Sequence, residues 1–402
     1  MKRIFKNQLV MIFFFYIAIV ALLYSNFGFY SFAEYKPRPE FWDLNNAPMW
    51  WDCYKNVGLN VFLSTESPLD VCRNFNYGYF SMVSMGLTTS LYSGVKFWGF
   101  LQIIVFVFLL VKIYFCDVLK HQKYIFLLAL FSPGLFLLYT SGNMDMQIIC
   151  ALLIANRLIV SGKEKRGLTL ICITALLKFY TAPILLITTL IVKRKNSRAY
   201  GSMLIFCTAS IILYQLIKTP PTAFPDGAQN KFGSGIFDNY ARKAGIDMSK
   251  FQGELLGLLF LFVALFLIIF CYYKYTPLKD NTSLKLSKLQ HMLALNYLMM
   301  AGTSIACYLG GLNVDYRLTF IALAGIALFQ IPHTRVKFVS ALYPYFWMLS
   351  LWIAYPFANF KKFIGLDLQP LGDIFMISTI AYFIFQGFFL FKLLVSSNKA
   401  SL

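Results

Sequence analysis

The chain is laid out as a succession of apolar runs, most of them near the roughly 17–25 residues that a helix needs to cross a hydrocarbon core, with short basic loops between them. That alternation constrains the fold more than any single motif. Leu9–Phe32 sets the pattern: its interior holds no ionisable residue and no small-residue cleavage site follows it. It is expected to be a membrane anchor, since a removable leader is shorter and ends in such a site. Composition agrees, with 59% hydrophobic and 13% charged residues. Soluble globular chains run nearer about half apolar and a quarter charged.

A formal net charge of +19 raises the question of a nucleic-acid partner until the charges are placed. Lys and Arg concentrate in the short loops: Lys2, Arg3 and Lys6; Lys120 and Lys123; Lys163, Lys165 and Arg166; Lys193, Arg194, Lys195 and Arg198. Lys274, Lys279, Lys285 and Lys288, then Arg335 and Lys337, then Lys392 and Lys399 continue the series. Of the acids, only Asp117, Glu164 and Asp280 share these loops. By the positive-inside rule the loops are expected on the cytoplasmic side, with both termini. The basic excess is then a topology signal, and no nucleic acid is expected as a partner.

On that map the expected spans are 9–32, 95–115, 124–140, 146–161, 199–217, 253–275, 289–308, 317–331, 338–357 and 373–393. These make about ten crossings in one polytopic membrane domain covering residues 1–402. One apolar run breaks the alternation. Residues 167–192 have basic clusters at both ends, so a single crossing would invert every later loop. A helical hairpin that enters and leaves on the cytoplasmic side removes the conflict, turning near Lys178-Phe-Tyr-Thr-Ala-Pro183. Broken backbone at membrane depth is tolerated where it lines a polar cavity.

Two extracytoplasmic segments are long, 33–94 and 218–253. The first is rich in aromatic residues (Trp42, Trp50, Trp51, Tyr54, Tyr77, Tyr79) and holds Cys53 and Cys72, a pair able to form a disulfide in an oxidising compartment. The other cysteines in the spans read as small packing residues, without metal-ligand spacing. His121, His291 and His333 all fall on the cytoplasmic side, which argues against a histidine-dependent acyltransferase or an intramembrane zinc site. No phosphate-cradling Gly-Lys-Ser/Thr loop is present.

Ionisable groups at membrane depth are costly and mark function. Four regions carry them: Trp51-Asp52-Cys-Tyr54; Ser141-Gly-Asn-Met-Asp-Met-Gln147, with Asn143 and Asp145; Lys178 with Tyr180; and Asn313-Val-Asp-Tyr-Arg317, with Asp315 and Arg317. A carboxylate could take the proton of an acceptor hydroxyl. Cations could hold a lipid phosphate and stabilise the charge it gains on leaving. Aromatic rings could stack on sugar faces. Read blandly, Asp145 and Asp315 simply end helices at the interface. Lys178 is harder to dismiss, because both ends of its apolar run are too distant for the side chain to reach water.

The stretch from Ser141-Gly-Asn-Met-Asp through Gly162-Lys-Glu-Lys-Arg-Gly-Leu and Ala175-Leu-Leu-Lys-Phe-Tyr-Thr-Ala-Pro183 to Lys193-Arg-Lys resembles the central region of bacterial glycosyltransferase family 87. Asn313–Leu323, and a first-loop Asp followed by Asn76-Tyr77, are similar to further parts of that family's pattern, although Gly78 stands where relatives often carry Pro. The resemblance covers about a third of the chain. It implies a GT-C-like all-α bundle of about ten transmembrane helices plus the hairpin, in the bacterial cytoplasmic membrane. The implied activity is inverting transfer of mannose or a related hexose from a polyprenyl-phosphate donor to an extracytoplasmic glycan or glycolipid, in contact with membrane lipids and without metal or cofactor. On that resemblance Asp52 is the general base, with Asp43 and Asp70 as alternatives. Lys178 and Arg317 contact the donor phosphate, and Asn143 and Asp145 line the cavity. The competing readings are a polysaccharide polymerase or ligase using a diphosphate-linked donor, and a transporter or lipid flippase.

Overall fold

A computed structural model describes residues 95–112, 129–130, 132–218, 249–275, 287–309, 318–329, 337–353 and 369–399, together with Leu44, Lys55, Phe237 and Ile331. Every regular element among them is helical. Among the described residues three helices are long and apolar enough to cross a membrane, with spans at Gln252–Tyr272, Lys288–Leu309 and Pro370–Ser396. The expected span at 9–32 lies outside the described residues, as do Cys53, Cys72 and most of the first and middle loops.

The chain divides into two compact units. In the first, α1 (Val95–Leu110) packs on α3 (Asp145–Val160); α2 (Pro133–Ser141), which precedes α3 in sequence, is divided between the two units. Then come α4 (Glu164–Leu177), a single 3-10 turn (Phe179–Thr181), α5 (Ala182–Ile191) and α6 (Lys195–Lys218). Gly162, at φ +84, makes the reversal between α3 and α4, a backbone conformation that a side chain would strain. The two helices run antiparallel and close together, because a Cβ at Gly167 would lie 2.8 Å from the Ala155 carbonyl oxygen.

The next reversal is local chemistry. Pro183 sits in the first turn of α5, the one helical position where its missing N–H and fixed φ are harmless. A continuous helix through Lys178 would bury that proline in mid-helix, so the chain breaks instead. Lys178 is extended (φ −143, ψ 118) and Thr181 returns its hydroxyl to the Lys178 carbonyl at 3.0 Å. α5 then runs back along α4, and the ends of the pair meet again: the Glu164 carboxylate accepts the backbone N–H groups of Lys193 and Arg194 at 3.0 and 3.3 Å. α6 lies beside both helices, with the Thr169 and Tyr200 hydroxyls 2.9 Å apart and Cys172 3.2 Å from Thr208.

The second unit contains α7 (Lys250–Tyr275), α8 (Lys288–Leu309), α9 (Leu318–Phe329), α10 (Lys337–Ile353) and α11 (Gln369–Lys399). α7 and α8 each start on a reciprocal cap. Ser249 and Gln252 exchange backbone-to-side-chain bonds of 2.9 and 3.2 Å, and Ser287 and Gln290 do so at 3.0 and 3.2 Å. Each pair satisfies two N–H groups that a helix start otherwise leaves open. Between helices, aromatic donors reach backbone carbonyls: Tyr297 to Phe383 at 2.8 Å, Tyr308 to Gly257 at 3.0 Å and Trp347 to Ile321 at 2.9 Å.

Large apolar side chains remain exposed along the helices, among them Phe206 in the first unit at 75% and Phe266 on α7 at 66%. Such a surface suits contact with lipid. The buried side holds small residues where helices approach. A Cβ at Gly325 would fall 2.2 Å from Trp347 ring atoms, and that ring cannot swing aside without losing its bond to Ile321. Gly325→Ala should therefore lower stability by about 1–3 kcal/mol through overpacking, read as a drop in thermal midpoint in detergent. The cost should shrink in a Trp347→Phe background, where the ring is smaller and carries no bond to break.

Candidate functional site

The polar core of the first unit lies where the ends of α3 and α4 meet. Asp145 is the first residue of α3, and Lys178 is the residue that stops α4. Antiparallel packing brings them together across 33 residues of chain: Lys178 Nζ donates to Asp145 Oδ1 at 2.6 Å. Asp145 is fully buried and Lys178 is 3% exposed.

Asn143 completes the frame. Its Oδ1 accepts the Asp145 backbone N–H at 2.9 Å and Lys178 Nζ at 2.9 Å. Two donors on one atom identify it as the amide oxygen. Tyr180, half-buried on the 3-10 turn, donates its hydroxyl to Asp145 Oδ1. The Lys178 ammonium also stands 5.8 Å from the centre of the Tyr180 ring, within reach of a cation–π attraction.

The helices add to this pairing. The unsatisfied N–H groups at the start of α3 favour a carboxylate, and the carbonyls at the end of α4 favour a cation. The Ser141-Gly-Asn-Met turn and the Lys178-Phe-Tyr-Thr break thus put each charge at the helix end that suits it. The assembled site holds one cation and one carboxylate in hydrogen-bonded contact, with an amide and a phenol around them. Chemically it can retain an ammonium away from water and exchange the acceptor that the ammonium holds.

Of the residues expected at a site, Asn143, Asp145, Lys178 and Tyr180 come together. Asp52, Tyr54, Asn76, Tyr77, Asp315 and Arg317, and the alternatives Asp43 and Asp70, lie outside the described residues. Asp145 does not merely end a helix; it is the counter-ion of Lys178. Glu164 was not singled out by sequence as a structural residue, although its position as an acid inside a basic loop marked it. Among the described residues no three His, Cys, Asp or Glu side chains form a group able to hold a metal.

Comparison of the chain with protein-family models, with curated proteins and with solved structures gives no match. The site is therefore read from its own geometry.

Breaking a buried pair strands the remaining charge. Lys178→Met or Asp145→Asn alone should cost about 3–5 kcal/mol, while the double variant should recover most of that loss. Thermal unfolding in detergent checks it. Single variants as stable as the parent would mean that the pair is not energetically coupled.

Proposed function

We propose that this chain is a multi-pass membrane glycosyltransferase that moves a hexose from a polyprenyl-phosphate donor to an extracytoplasmic glycan or glycolipid. The observation that carries the reading is the ammonium of Lys178, held inside an apolar segment at a helix break. A charge so placed, with a partner it can exchange, suits a substrate that brings a phosphate on a lipid tail.

Helix lengths give the depth. α3 has 16 residues and α4 has 14, so they rise roughly 24 and 21 Å at about 1.5 Å per residue. If the basic loop at 163–166 marks the cytoplasmic interface, their upper ends stop short of the far side of a core about 30 Å thick. The ion pair then lies in the outer part of the bilayer, below an extracytoplasmic mouth. A lipid phosphate entering sideways between helices would meet it there. The about ten crossings, the cytoplasmic termini and the membrane re-entry of the α4–α5 pair belong to this proposal.

In the reaction the acceptor hydroxyl attacks the anomeric carbon as the bond from that carbon to the phosphate oxygen breaks. The acceptor proton goes to a carboxylate, Asp52 by the family resemblance, and the polyprenyl phosphate leaves with the added negative charge. Lys178 would transfer from Asp145 to this phosphate, with Arg317 as a second cation. Asp145 keeps Lys178 paired and aimed while no donor is bound. Tyr180 holds Asp145 and would keep the displaced carboxylate hydrogen-bonded.

A helix break with an intramembrane ion pair also suits a lipid flippase. Product chemistry separates the two readings: a transferase releases polyprenyl phosphate, and a flippase moves the sugar-linked lipid intact.

The test is turnover by the full chain in nanodiscs supplied with a radiolabelled polyprenyl-phosphate hexose and a membrane glycolipid extract as acceptor. Asp145→Asn/Lys178→Met, the variant expected to stay folded, should lose about 100-fold or more in turnover, the scale of a lost electrostatic stabiliser. Asp52→Asn should abolish turnover while leaving donor binding intact. Full transfer by the double variant would sink the phosphate role, and full transfer by Asp52→Asn would sink the proposed base.

A further inference from the structure

The end of the α4–α5 pair opposite Lys178 has a different electrostatic character. Lys163 precedes α4 and Lys165 and Arg166 lie in its first turn, while Lys193 and Arg194 precede α6 and Lys195 and Arg198 lie in its first turn. The two stretches are about 30 residues apart in sequence, and the fold joins them. Glu164 accepts the N–H groups of Lys193 and Arg194, and the Arg194 guanidinium reaches to 3.8 Å from where a Cβ on Gly162 would stand. Arg198 Nε donates to the Val192 carbonyl at 2.8 Å, and Lys165 lies over the Tyr200 ring at 5.7 Å from its centre.

These cations are not compensated. Between Asp145 and Asp226 the chain has one acidic residue, Glu164, which is buried and has both carboxylate oxygens engaged by backbone. Among the described residues no carboxylate forms an ion pair with any of the seven. Six of them are exposed, and Arg198 is half-buried. Beside the cluster, along the same three helices, stand the exposed apolar side chains of Ile173, Leu190, Met203 and Phe206. A ring of free cations at the end of an apolar, outward-facing surface has the profile of a headgroup level above acyl chains.

We infer that the loops 161–166 and 192–198 form a binding site for the headgroup of an anionic phospholipid, with Arg166 and Arg194 as the phosphate-binding forks and Glu164 as the positioning residue that joins the two loops. Guanidinium groups bind phosphate oxygens in pairs, which a diffuse field of lysines does not. The lipid lies at the far end of α3 and α4 from the Lys178–Asp145 pair, so the site stands whether or not the chain transfers a sugar. It differs from a general attraction to the leaflet in being saturable and in depending on Glu164, an acid.

The experiment titrates the full purified chain in neutral detergent with phosphatidylglycerol or phosphatidylcholine and counts retained lipid by native mass spectrometry. Phosphatidylglycerol should bind saturably and much more tightly, and its retention should fall as salt is raised. Lys165→Gln/Arg166→Gln/Arg194→Gln should weaken it roughly 100-fold, at about fivefold per charge near a headgroup. Lys392→Gln/Lys399→Gln, removing cations elsewhere, should bind as the parent does. Glu164→Gln raises the net charge by one yet should weaken binding, because its NH2 group cannot accept the second of the two backbone N–H groups that join the loops. Tighter binding by that variant would overturn the inference in favour of plain charge attraction. So would equal binding of the two lipids by the unaltered chain, or full competition by inorganic phosphate at matching concentration. The last two outcomes need no variant to fold.

Discussion

A lysine in the middle of an apolar run can persist only with a partner, and the first unit is arranged around that requirement. Lys178 has no short path to water, so its charge is met inside the protein by Asp145 at 2.6 Å. The bond is possible only because α3 and α4 are antiparallel and nearly equal in length, with 16 and 14 residues. Lengthening either by two residues would shift its end by about 3 Å and separate the pair. The length of the helices, the φ +84 reversal at Gly162 and the break enforced by Pro183 therefore serve one contact. Isolated buried charges are costly beyond what packing alone offsets, which explains why Asn143 and Tyr180 are drawn into the same frame.

The second unit meets a related constraint largely with neutral groups. Between helices in an apolar medium there is little hydrophobic drive to associate, because the surrounding chains are as apolar as leucine. Association then rests on close packing and on interhelical hydrogen bonds. Tyr297, Tyr308 and Trp347 each give their one polar hydrogen to a carbonyl on a neighbouring helix, and Tyr343 stacks on Tyr382 with ring centres 4.2 Å apart. Aromatic residues suit this work, since each buries a large apolar body and keeps a single donor for a specific acceptor.

Hydropathy made the helices legible, because an apolar run in lipid has few alternatives to a helix. The bend at Lys178 was also visible, from a proline and a cation inside an otherwise continuous run. The partner of Lys178 was not. Asp145 and Asn143 are more than 30 residues away, and from sequence they read as separate polar residues near a cavity. Only the antiparallel register makes them one group with the lysine. The Ser-x-x-Gln starts at Ser249 and Ser287 were readable by local rule, whereas the Trp347–Gly325 contact needs a crossing geometry that no local pattern encodes. The residues assigned to catalysis by resemblance, Asp52 and Arg317, lie outside the described residues, and apolar periodicity does not reach them.

The two ends of α4 carry opposite solutions to the same problem of charge. At the tip the cation is buried, so it is neutralised by a carboxylate and by helix ends oriented to favour both partners. At the base the cations are exposed and have no acid but Glu164, which is spent on backbone N–H groups and not on them. If Glu164 instead paired with a surface cation, the loops would be released from each other and α5 would lose its tie to the start of α4. The acid thus acts on register, and the positive charge of the base is left for solution or lipid. With Asp145 of α3 as the counter-ion of Lys178, the tip is neutral, whereas the base keeps its positive charge. Placing α3, α4 and α5 together tip-first in an apolar medium would bury no net charge, whereas placing them base-first would bury the exposed cations as well. That asymmetry favours one direction for the three helices together, and it depends on α3, because the α4–α5 pair alone would carry an unpaired Lys178 into the apolar medium.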